Sequence, residues 1–111
     1  MDRLALLLQF HEEDPADAFT LFAIAQEYLK RDAPGEALAF FEKLRRDQPD
    51  YTGTYYHLGK LYERLGRNDD AIATYQQGIR VAQQQRNLKD LSELQDALLR
   101  AQGIGFDDDD D

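Results

Sequence analysis

The apolar positions of the chain fall on two helical stripes, and both stripes recur. Leu21, Ile24, Ala25 and Tyr28 stand at i, i+3, i+4 and i+7, the spacing that puts side chains on one face of a helix. After a break at Asp32-Ala33-Pro34, Ala37, Phe41 and Leu44 continue at helical spacing. The stripes then return as Tyr55, Leu58, Gly59 and Tyr62, followed by Ala71, Tyr75 and Gly78. Six pairs, from Leu21 and Tyr55 to Phe41 and Tyr75, are separated by 34 positions and keep their character: large, aliphatic, small, tyrosine, alanine, aromatic. A period of this length marks a stacked array of small supersecondary units, each too small to bury its own apolar face.

The boundaries of the units are written in turn residues. Gly66 suits the end of a helix, and Asp32 holds the same place one period earlier. Pro34 fits the first turn of the following helix, where its missing N–H is not needed. Asn68 is the expected N-cap of the matching helix in the second copy. The second helices are thus expected at about Pro34–Asp47 and Asp69–Gln85. Pro49 closes the first copy, but Gln83 stands at the matching place in the second, which predicts a longer last helix there.

These residues resemble the tetratricopeptide repeat. The second copy supplies Tyr55, Leu58-Gly59, Tyr62, Gly66, Ala71, Tyr75 and Gly78; the first supplies Leu21, Ile24-Ala25, Tyr28, Ala37, Phe41, Leu44 and Pro49. Leu44 departs from the pattern, being larger than usual at a close-packed position. The resemblance implies an all-α, right-handed superhelix of antiparallel helical hairpins. It also implies a non-catalytic protein-interaction module, with a concave groove lined by the first helix of each repeat.

Two repeats leave apolar faces open, so caps are expected. Residues 2–14 read as a leading helix, with Leu4, Leu7 and Leu8 turned to the first repeat. Residues 87–102 read as a terminal helix, with Asn87 and Asp90 starting it and Leu91, Leu94 and Leu98 on one face. The expected organisation is about six helices in one domain over 1–102, with repeats at 18–51 and 52–85 and a flexible acidic tail at 103–111.

Charge and composition narrow the function. The formal net charge is -9, and Asp107–Asp111 supply five of those charges, so the remainder of the chain carries only -4. A net-negative protein has no general attraction for phosphate backbones or anionic lipid, which argues against nucleic acid and membrane partners. There is no cysteine, hence no disulfide, thiolate nucleophile or cysteine zinc site. No stretch approaches the roughly 18 apolar residues of a membrane span, and the apolar run Leu4–Leu8 is too short for a signal peptide. A cytoplasmic setting is expected. His11 and His57 have no partner at ligand spacing, and no phosphate loop or nucleophile elbow occurs. No catalytic residue, metal or cofactor is expected.

What remains is a surface. On the first helix of the first copy, beside the core stripe, stand Phe19, Phe22, Gln26 and Lys30; in the second copy the face carries Tyr56, Lys60 and Arg64. Rings offer rigid contact area and cations grip carboxylates, so these seven residues are the expected peptide-binding groove. Phe22 and Gln26 occupy positions where relatives that bind a chaperone's C-terminal carboxylate would carry Lys and Asn, which argues against that function. The alternative is a structural or self-assembling repeat protein without a groove ligand. The expected partner is a protein or peptide, and the expected state is a monomer or weak self-associate.

Overall fold

Asp2 opens the first helix: its carboxylate accepts the backbone N–H of Ala5 at 2.8 Å, satisfying one of the orphan donors of a helix start. This bond, followed by the charge of Arg31, holds the Asp2 carboxyl below its ordinary range. The computed structural model describes residues 2–103, and these form six helices: α1 (Arg3–Glu13), α2 (Ala18–Lys30), α3 (Pro34–Asp47), α4 (Gly53–Arg64), α5 (Asn68–Gln85) and α6 (Leu88–Ala101). No strand occurs among the described residues. The tail expected at 103–111 lies outside them except for Gly103. The helices group into two compact units that divide between Thr54 and Tyr55.

In the first unit α1 packs on α2, and α2 on α3. Leu7 is the buried residue of α1 and joins Ala23 and Ile24, with Leu4, Leu8, Tyr28 and Phe40 packed around them. The expected contact of Leu4, Leu7 and Leu8 with the first repeat is therefore present. Tyr28 and Phe40 stack with centroids 5.8 Å apart. The polar rim of this contact was not legible in the sequence. Glu27, only 12% exposed, receives Arg3 at 3.4 Å and Arg31 at 3.6 Å, and Arg31 also reaches Asp2 at 3.4 Å. The arginines are largely solvated, so these pairs orient α1 more than they stabilise it.

Asp17 caps α2, accepting both the N–H and the hydroxyl of Thr20. Both first helices end alike. Asp32 has φ 56° and Gly66 φ 77°, the left-handed conformation that closes a helix. The next N–H returns to the helix in each case, Ala33 to Tyr28 O at 2.9 Å and Arg67 to Tyr62 O at 2.8 Å. The helix that follows starts at the expected Pro34 in the first copy, but differently from expectation in the second. Asn68 is not the N-cap of α5; Arg67 holds that place with no side-chain cap bond, and the Asn68 amide donates to Ala101 O at 3.1 Å.

The second unit is organised by two glycines. A Cβ on Gly59 would lie 2.2 Å from the Tyr75 ring, and one on Gly78 would lie 2.5 Å from Tyr55 Cβ and 3.1 Å from Leu94. Only a bare Cα lets these helices approach so closely. The first copy reaches the same fold with volume redistributed: Ala25 with Phe41, and Leu21 with the fully buried Leu44. Leu44 is thus matched by a smaller residue where the second copy carries Tyr55.

Without a proline at Gln83, α5 runs for 18 residues against 14 in α3, and Arg86 turns the chain at φ 57°. Asn87 then caps α6, accepting from Asp90 N at 3.2 Å and donating to its carboxylate at 3.1 Å. The buried pattern of α4 reappears in α6 at a spacing of 36 rather than 34. Tyr55, Leu58, Leu61 and Tyr62 correspond to Leu91, Leu94, Ala97 and Leu98, of which Leu94 and Ala97 are fully buried. The last helix is the first helix of a further half-repeat, displaced by two residues.

Candidate functional site

Each unit carries a candidate surface of its own, and the two differ in kind. On α2, Phe19 stands 65% exposed. Phe22, on the same face, is half-buried: its ring meets Phe41 edge-on at 6.0 Å and the Tyr51 ring at 5.7 Å. It is therefore held by the second helix of its own repeat and by the loop that follows. Burial, followed by the negative charge of Asp17, raises the Tyr51 hydroxyl above the usual phenol range. Gln26 is half-buried, and Lys30 is exposed with its ammonium 4.0 Å from Glu27. The first unit thus presents an exposed ring and an exposed cation on a face whose middle is packed.

On α4 the ring and the cation belong together. The Lys60 ammonium sits 5.7 Å from the centroid of the Tyr56 ring, one turn back along the helix, and the exposed Arg64 follows a turn later. A cation over a ring is worth about 0.5–1 kcal/mol at an exposed site and keeps the charge near apolar area. Tyr56 also meets the His57 ring edge-on at 5.5 Å. Burial lowers the proton affinity of His57, with the Glu93 carboxylate opposing it.

Glu63 lies on the same helix but is committed inward, where it accepts the hydroxyl proton of Tyr75. In the first copy the matching pair is Leu29 and Phe41, so a polar pair in one repeat replaces an apolar pair in the other. Burial first, and Glu63 second, push the Tyr75 hydroxyl far above the ordinary phenol range. A raised phenol contributes stability fully below its unfolded value of about 10 and loses it as pH rises beyond that. Urea midpoints should therefore fall as the pH rises above about 10, and Tyr75→Phe should flatten that fall. An unchanged slope in the variant would refute the assignment.

Among the described residues no group of three His, Asp or Glu side chains is placed to hold a metal, and no helix is long and apolar enough to cross a membrane.

Comparison with known proteins places these features. A family model described as tetratricopeptide repeat matches residues 28–94, more than half of the chain. The crystal structure of a tetratricopeptide repeat domain protein from Salinibacter ruber is 64% identical, with a TM-score of 0.76, over 78% of this chain and 98% of that one. Its solution structure gives a TM-score of 0.78 over 82% and 92% of the two chains, again at 64% identity. A solution structure of a protein from Bordetella parapertussis shares the fold at 19% identity, with a TM-score of 0.78 over 93% of this chain and 90% of that one. No curated protein matches. With the 34-residue signature, the paired helix ends and these likenesses in hand, the chain belongs to the tetratricopeptide repeat family.

Proposed function

We propose that the chain is a non-catalytic interaction module, and that the exposed face of α2 in the first unit and that of α4 in the second each take a peptide or protein segment. Tetratricopeptide repeats are commonly protein-interaction modules, and one observation supports that use here. Lys60 over Tyr56, with Arg64 a turn away, makes a preorganised apolar and cationic patch. Such a patch fits a segment carrying a carboxylate beside an apolar side chain. Phe19 and Lys30 offer the same two chemistries in the first unit. Phe22 and Gln26 serve as the packed floor between them. No catalytic step is assigned to any residue, and the proposed setting is the cytoplasm.

The test is an NMR titration of the labelled protein with a library of acidic and neutral peptides. Shifts should gather on Phe19, Gln26, Lys30, Tyr56, Lys60 and Arg64, and Lys60→Glu should weaken binding at least about tenfold, the scale of a lost charge pair. Binding that is indifferent to Lys60→Glu would reject the surface.

A second reading has its own support. Leu6 and Phe10, one turn apart on α1, are 41% and 46% exposed. An apolar pair of this kind suits self-association. A sedimentation profile independent of concentration would dispose of it.

A further inference from the structure

The two helices of the second repeat meet along a defined stripe. Tyr75 of α5 lies over Gly59 and donates its hydroxyl to Glu63, and Gly78 of α5 sits against Tyr55. Residues 55, 59 and 63 stand at i, i+4 and i+8, so they form the side of a first helix that its second helix covers. At the spacing of 36 that relates α4 to α6, the same stripe is Leu91, Gln95 and Leu99. Here it is open. Gln95 is exposed, Leu99 is 42% exposed, and with Ile79 and Leu98 they line a hollow of about 380 Å³. α1 shows the reverse. Thr74, Tyr75 and Gly78 of α5 are buried, and 68 residues earlier, two periods, stand Leu6, Leu7 and Phe10. Leu7 packs with Ala23 and Ile24 of α2, whereas Leu6 and Phe10 stay 41% and 46% exposed. Among the described residues no helix precedes α1 or follows α6. They thus include a first helix without its second and a second helix without its first.

We propose, resting on the self-association reading of Leu6 and Phe10, that a second copy of this chain supplies the missing halves: α1 of one molecule packs on α6 of another, and the pair completes one repeat. The side chains at this junction compensate in size and polarity. Phe10 meets Leu91 where Gly78 meets Tyr55, an exchange of volume that the first repeat already makes with Leu44 and Leu21. Leu7, smaller than Tyr75, leaves room for Gln95 where the second repeat requires Gly59. The polar pair Glu63 and Tyr75 becomes Leu99 and Leu7, apolar on both sides, as Leu29 and Phe41 are in the first repeat. Antiparallel packing, as between α4 and α5, brings Lys89 at the start of α6 to the exposed Glu12 and Glu13 at the end of α1. Because the two sides of the junction are unlike, each molecule carries one of each, and the contact propagates into a ring or an open array.

One helix laid on another buries less than about 1,200 Å², the low end for specific contacts, so sedimentation is followed from about 10 µM to about 1 mM. The unsubstituted chain should associate over that range. Leu6→Asp and Leu99→Asp should each weaken association at least about tenfold, since each puts a carboxylate into the apolar junction. Phe10→Asp, on the same face of α1, repeats the test of Leu6→Asp. Each variant keeps one side of the junction intact, so an equimolar mixture of Leu6→Asp and Leu99→Asp should recover a dimer that neither forms alone. Association lost in Leu6→Asp and Phe10→Asp but kept in Leu99→Asp would overturn the pairing of α1 with α6 while leaving self-association through α1 standing. A mixture no more associated than its components would overturn it as well. A mass independent of concentration in the unsubstituted chain would reject both the pairing and the self-association on which it rests.

Discussion

Gly78→Ala should destabilise the protein by about 3 kcal/mol, at the upper end for an inserted methyl, even though alanine is the better helix former by about 1 kcal/mol. The reason is the identity of the obstructing atom. The new Cβ would stand 2.5 Å from Tyr55 Cβ, an atom fixed to the backbone of α4, so no rotamer change relieves the overlap. Shortening the partner should not help: Leu at position 55 keeps Cβ and Cγ, and Tyr55→Leu should leave the cost of Gly78→Ala in place. Gly59→Ala should behave differently. Its new atom meets the Cε1, Cζ and Cδ1 atoms of the Tyr75 ring; Tyr75→Leu removes the two nearest, so the two changes should show positive coupling in a double-mutant cycle. Urea unfolding of the unsubstituted protein and the six variants measures both effects. A neutral or stabilising Gly78→Ala would show that α4 and α5 are not held this closely.

Leu7→Asp should release α1. Leu7 is 7% exposed among Ala23, Ile24, Tyr28 and Phe40. An unpaired carboxylate buried there costs several kcal/mol, so detachment of an 11-residue helix is the cheaper outcome. Hydrogen exchange should show α1 amides losing at least about a hundredfold in protection. Leu6→Asp, one residue earlier and 41% exposed, should change stability by no more than about 0.5 kcal/mol. Equal protection of α1 in the two variants would contradict the packing described.

Most of this architecture was legible because its signals are local or periodic. The ends of α3 match the expected Pro34 and Asp47, and the over-long α5 follows from the missing proline at Gln83. The role of Asn68 was not legible, since its amide is engaged by Ala101 O, 33 residues away. Nor was the place of α6 in the array. At 34 residues from Leu58, Gly59 and Tyr62 the sequence offers Ser92, Glu93 and Asp96, all polar, and the match appears only when burial gives the register. On the candidate surface, residue type identified Lys60 and Arg64, but Phe22 looks equally free in sequence until Phe41 and Tyr51 are found against it. The inward turn of Glu63 became visible only with Tyr75 placed opposite.

The two-residue offset between α4 and α6 carries a consequence for grafting. A straight α-helix turns about 100° per residue, so two residues amount to about 200°. A new hairpin spliced after α6 by counting 34 from the α4 signature would therefore present its polar side to the junction and its apolar side to water. Counted at 36, the same insert meets α6 face to face, and the array lengthens in phase.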